Sequence, residues 1–164
     1  MGSGGSQKIF VTVKAFSKRG QLLQRADFQT LAESRDLDEL VTRIKNTKYL
    51  DAVNGVSKPY TAEKLEMALK INLAETQFGL AKSSGNSKIL DAFFQKFIIS
   101  NLKLILKGKI LGKSQDEIST YFNMHAEELT KQRDMVVKAL VAKDLEEAVS
   151  SLGSSPFSTE IQKA

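Results

Sequence analysis

The chain has no cysteine, no tryptophan, a single histidine and only two prolines in 164 residues. Without cysteine it can form no disulfide, no thiolate nucleophile and no cysteine-ligated metal site. His125 alone cannot build a multi-histidine metal centre. The absence of cysteine also fits an intracellular setting. No apolar run is both long and uncharged: the most hydrophobic stretch, Phe93 to Leu111, carries Lys96, Lys103, Lys107 and Lys109. A transmembrane span is therefore not expected. The opening Met1-Gly2-Ser3-Gly4-Gly5-Ser6 has no apolar segment, which excludes a secretory signal and suggests a flexible leader over residues 1–7. A phosphate-binding loop is missing too, because Leu111-Gly112-Lys113-Ser114 lacks the first glycine at the required spacing; it reads as a turn followed by a helix cap.

What is present is ordinary for a globular protein: 41% hydrophobic and 26% charged residues. The length suits one domain or two small ones. A net charge of +5 and a pI near 9.3 invite a nucleic-acid reading. The charges nevertheless read as spread along the chain, and the densest basic stretch, Lys103, Lys107, Lys109 and Lys113, is interleaved with leucine and isoleucine. That pattern is expected of a solvated helix face.

Helical periodicity dominates. Ile9 to Phe16 is read as helix, since an isolated strand would have no partner. A short helix follows from Arg25 to Ser34 with Phe28 and Leu31 inward, then one opened by Asp36 and Glu39 in capping-box spacing. Thr61 is placed to cap a long helix to about Lys82 that should pack on two faces. Ser83 to Asn86 ends it, and Lys88 to about Lys107 is expected as one continuous helix, the most buried in the molecule. Ser114 and Glu117 make a second capping box, Glu127 to Lys143 an amphipathic helix, and Asp144 opens another. The fold class expected is all-α.

Part of the chain recurs. Asp36 to Tyr49 returns without a gap as Asp144 to Phe157, with an acid at the cap, an acid three residues on and an aromatic residue at the end. Arg19 to Leu23 returns more faintly as Lys107 to Leu111. Recurrence points to architecture rather than to a single cleft. It predicts repeated helical-bundle units, one complete over residues 8–106 and one partial over residues 107–164.

These landmarks resemble the C subunit of the archaeal A-type and bacterial V/A-type ATP synthases, related to the d (AC39) subunit of the eukaryotic V-ATPase. The segments are Arg19 to Leu23 with Phe28 and Leu31, Asp36 to Tyr49, and Asn101-Leu102-Lys103 running into Lys107-Gly108-Lys109-Ile110-Leu111-Gly112. The opening Ile9 to Lys14 is less rich in arginine and alanine than is usual there. The resemblance implies about the first half of a protein built from three similar helical domains. It implies a non-catalytic central-stalk part linking the membrane proteolipid ring to the axle, in support of proton- or sodium-coupled ATP synthesis or hydrolysis. Such a protein would be cytoplasmic, peripheral to the membrane, and without a cofactor, metal or catalytic residue. The alternative is a helical adaptor or nucleic-acid-binding module using a basic surface, which would bind with a steep salt dependence.

Enzyme readings have little to stand on. His125 with Glu127 and Glu128 reads as an exposed polar helix start rather than an acid/base pair. The pairs Asp38/Glu39, Asp116/Glu117 and Glu146/Glu147 sit where they favour the helix dipole, and Phe93, Phe94 and Phe97 read as core rather than a base-stacking platform. The partner surface expected is the glycine-containing turn at Gly108 and Gly112 with Lys107, Lys109 and Lys113.

Overall fold

A computed structural model describes residues 3–85, 87–161 and 163, all of the ordered elements among them helical. Packing divides the chain into two compact units, Met1–Asp91 and Ala92–Ala164. This division reports compactness, whereas the limits 8–106 and 107–164 follow sequence recurrence.

The first unit holds α1 (Ser3–Gly20), α2 (Arg25–Ala32), α3 (Leu37–Lys45), α4 (Leu50–Asn54) and α5 (Ala62–Ser83). Residues 3–7, expected as a flexible leader, belong to α1. The core is Val41, Ile44, Val53 and Leu65, ringed by Leu31, Leu37, Leu40, Tyr49, Val56, Tyr60 and Leu69. Each such aliphatic side chain contributes about 1.5–3 kcal/mol when fully buried. Thr61 caps α5 as expected, its hydroxyl accepting the Lys64 amide at 3.3 Å. Phe28 does not point inward; it is exposed, and α2 buries no residue, touching the core only through half-buried Leu31. A two-turn helix has one narrow inner face, and Leu31 occupies it.

α6 (Lys88–Phe94) leads into the second unit, which holds α7 (Lys96–Ile110), α8 (Gln115–Ser119), α9 (His125–Thr130), α10 (Arg133–Val141), α11 (Leu145–Ser151) and α12 (Ser158–Ile161). Ile98, Leu102 and Ile105 form the inner stripe of α7 and meet Ile118, Val136, Ala139, Leu140 and Leu152. The continuous helix expected from Lys88 to Lys107 is interrupted at Gln95. Its second part carries the buried stripe, whereas the first buries Phe94 alone and leaves Ile89 and Phe93 exposed, with the Lys96 ammonium 4.0 Å from the Phe93 ring centre. The apolar residues wrap the whole circumference of this stretch, and neighbouring helices cover only part of it. The helix expected from Glu127 to Lys143 is also divided. Lys131 adopts φ 60°, and the Gln132 amide reaches back to the Glu127 carbonyl at 2.8 Å, closing α9 before α10 starts.

The two recurring segments share local geometry. Asp36 accepts the Glu39 amide at 2.8 Å, and Asp144 accepts that of Glu147 at 2.9 Å. Neither acid at the third position closes the capping box on its own cap residue. Glu39 instead accepts the amide of Arg35 at 3.1 Å and Glu147 that of Lys143 at 2.7 Å, each one residue further back. Beyond the helices, the Thr47 hydroxyl accepts the Tyr49 amide at 3.1 Å and the Ser155 hydroxyl that of Phe157 at 3.2 Å. The next turn repeats as well, from Val53 to the Tyr49 carbonyl and from Ile161 to that of Phe157.

Candidate partner surface

The end of α7 and the start of α8 carry the three lysines singled out in the sequence. Gly112 has φ +65°, a conformation glycine adopts without a Cβ clash. The Lys113 amide then reaches the Gly108 carbonyl at 2.9 Å and the Gly112 amide that of Lys109 at 3.1 Å, satisfying the last carbonyls of the helix. Ser114 starts α8 with a reciprocal box: its hydroxyl accepts the Glu117 amide at 3.2 Å, and Glu117 accepts the Ser114 amide at 2.9 Å. The Gly-Lys-Ser string is thus a helix stop and a helix start.

The lysines are not equivalent. Lys107 is exposed on the last turn of α7. Lys109 is half-buried, and its ammonium donates to the Ala142 carbonyl, tying α7 to the end of α10. Lys113 pairs with Glu117 at 2.8 Å. That pairing, with the Ser114 amide behind it, holds the Glu117 carboxyl down to about 2 and raises Lys113. The arrangement offers one outward ammonium at Lys107 and one ion pair at Lys113. Gly108 does not belong to an exposed turn, as expected from sequence; it is buried inside α7, where a Cβ would lie 2.5 Å from Ile118 Cγ1.

A buried polar link lies elsewhere in this unit. Glu127, read from sequence as part of an exposed helix start, has no exposed surface. The Asn101 amide donates to Glu127 Oε1 at 2.8 Å and to the Asn123 carbonyl at 2.9 Å, joining α7 to the start of α9. Oε2 is buried without a hydrogen-bond partner among the described residues. Burial pushes the carboxyl upward, the Asn101 hydrogen bond opposing and the neighbouring Glu128 charge adding to the shift. The signal was present at Asn101, an amide one position from Leu102 on the stripe Ile98, Leu102, Ile105, where a buried polar group requires a partner. Nothing in the local sequence identified that partner as Glu127. Among the described residues, no group of three or more His, Asp or Glu side chains converges as a metal site, and no helix is long and apolar enough to cross a membrane.

The architecture is that of an all-helical protein whose candidate surface is made of helix ends and polar links. Comparison with known proteins identifies its family: a model described as ATP synthase (C/AC39) subunit matches residues 11–164. The chain belongs to this family of ATP synthase subunits. It is 30% identical over 158 residues to the C subunit of the A-type ATP synthase of Archaeoglobus fulgidus, an alignment covering 94% of this chain and 44% of that protein. Identity to the C subunit of the A-type ATP synthase of Methanothermobacter thermautotrophicus is 31% over 145 residues, 82% of this chain and 36% of the relative. For the equivalent protein of Methanocaldococcus jannaschii, which bears the same name, it is 32% over 114 residues, 66% of this chain and 28% of the relative. The chain spans less than half the length of these curated relatives. No solved structure matches it.

Proposed function

We propose that the chain acts as a non-catalytic central-stalk part of a rotary A/V-type ATP synthase, linking the proteolipid ring to the axle while ATP is made or hydrolysed. The family match over residues 11–164 carries this reading. The physical demand on such a part is stiffness, and close-packed helical cores transmit strain because they compress little. The cores around Val41 and Ile44 in one unit and around Ile98 and Ile105 in the other suit that demand. The matched hydrogen bonds at Asp36 and Asp144 and at Thr47 and Ser155 support a helical unit used twice. On this reading the protein is peripheral to the cytoplasmic face of the membrane, and Lys107 with Lys113 forms part of the surface presented to a partner.

Affinity capture of the tagged chain from native membranes tests the reading. Recovery of ring and axle proteins is expected. Recovery of nucleic acid alone, lost steeply as salt rises, would establish the basic-module alternative instead. Charge reversal at Lys107 should weaken capture while far-UV circular dichroism stays unchanged; capture unaffected by the reversal would remove this lysine from the interface.

A further inference from the structure

The positive charge is not in fact distributed evenly. The first 26 residues contain Lys8, Lys14, Lys18, Arg19 and Arg25 and no acid, the first being Asp27. Subtracting these five bases from 24 leaves 19, equal to the 19 acids of residues 27–164, so the whole net charge of +5 resides in this opening segment. α1 holds 18 of those residues and four of the five bases, Arg25 opening α2.

α1 is also turned inside out. It packs on α5, and the side chains nearest that contact include a charged one: the Lys14 ammonium donates to the Gly79 carbonyl at 3.0 Å and to the Ser83 hydroxyl at 2.7 Å. The large apolar residues face the other way, with Ile9 67%, Phe10 59%, Val13 63% and Phe16 64% exposed. At about 100° per residue, Ile9, Val13 and Phe16 fall within roughly 60° of one another, opposite Val11 and Lys14. Lys8 and Arg19 lie together on one flank of that stripe, near its two ends. Leu22 and Phe28, which follow α1 in the chain, are exposed as well.

We infer that α1 is a membrane-surface helix that lies on an anionic lipid bilayer, with Ile9, Val13 and Phe16 entering the headgroup boundary, Phe10 at the edge, and Lys8 and Arg19 meeting lipid phosphates. An apolar stripe with a basic flank is the form an interfacial helix takes, and long basic side chains keep their charge at headgroup level while their stems cover apolar surface. Charge complementarity selects the occupant. A second copy of α1 would set base against base, whereas an anionic leaflet attracts each base and accepts the phenylalanines. The inference does not rest on the rotary-complex reading, because protein-free lipid is sufficient to test it.

Flotation of the purified full chain with phosphatidylglycerol/phosphatidylcholine vesicles, against pure phosphatidylcholine vesicles, is the test. Binding to the anionic vesicles, weakened by salt and nearly absent from the neutral ones, is expected. Since each base near an anionic surface contributes about a fivefold factor, Lys8→Glu/Arg19→Glu should weaken binding by at least about 25-fold. Val13→Ser/Phe16→Ser should reduce it at unchanged salt dependence, and Lys103→Glu/Lys138→Glu on the second unit should leave it within about twofold. Circular dichroism of each variant verifies folding. Failure to bind anionic vesicles, equal binding to neutral ones, or equal loss with the Lys103/Lys138 variant overturns the inference, as does binding confined to an acidic protein or nucleic acid. Capture of ring proteins without vesicle binding would overturn it and leave the rotary reading standing; the reverse result would separate the two in the other direction.

Discussion

Replacing Gly108 with alanine should destabilise the second unit, and the same replacement should become stabilising once Ile118 is truncated. A Cβ on Gly108 would lie 2.5 Å from Ile118 Cγ1 and 2.6 Å from Cδ1, too close for either atom to stay in place. Ile118 is buried in the main cluster of this unit, so its side chain has little room to yield. Overpacking of this kind costs about 1–3 kcal/mol. Alanine in a helix interior returns about 1 kcal/mol relative to glycine, leaving a net loss of up to about 2 kcal/mol. Ile118→Ala alone should cost about 2–5 kcal/mol through the cavity it opens. In that background the nearest remaining Ile118 atom, Cβ at 3.7 Å, is in ordinary contact, so Gly108→Ala gains its helix propensity and refills part of the cavity. The four proteins form a double-mutant cycle with a coupling of about 1–3 kcal/mol in favour of the pair. Urea denaturation followed by far-UV circular dichroism measures it. Additivity within about 0.5 kcal/mol, or a Gly108→Ala protein more stable than the parent, would refute the steric account of this glycine.

Lys131→Gly should stabilise by roughly 0.5–1 kcal/mol, because φ 60° is costly for a residue with a Cβ and native to glycine; Lys131→Val should destabilise in the same melt. Glu127→Gln should be more stabilising at neutral than at acidic pH. The folded pKa of Glu127 is raised, so its contribution is complete below the ordinary value of 4.5 and declines as pH rises through the raised one. A pH-independent difference in urea midpoint would contradict the burial argument. Glu117 behaves in the opposite sense: its carboxyl is held down to about 2, so the stability it lends is present above 4.5 and fades as pH falls toward 2. Glu117→Gln should therefore flatten that part of the stability–pH profile, and an unchanged acid limb would show that the Lys113 and Ser114 contacts do not hold the group in solution.

Caps and periods were legible because they depend on neighbours in sequence. Asp36, Thr61, Ser114 and Asp144 each accept the amide three residues on, a geometry set within one turn. Helix breaks were less legible. Lys131 carries no side-chain signature of a left-handed residue, and the interruption at Gln95 falls in a run apolar on every side. At the candidate surface the three lysines look alike in sequence, yet Lys109 is committed to the Ala142 carbonyl and Lys113 to Glu117, leaving Lys107 outward. Only the second of these contacts, four residues apart on neighbouring turns, is local enough to anticipate.

The sequence by itself determined that this chain is helical, where most helices begin, and that its landmarks follow the order of its family, because propensity, capping and motif order are properties of adjacent residues. Tertiary structure alone decided which face of each helix is inside. An amphipathic pattern marks an apolar stripe but not what covers it, so Phe28 and the Ile9, Val13 and Phe16 stripe are exposed while Lys14 and Glu127 turn inward to partners 65 and 26 residues away. Those partners are remote in sequence, and only folding brings them within hydrogen-bond range.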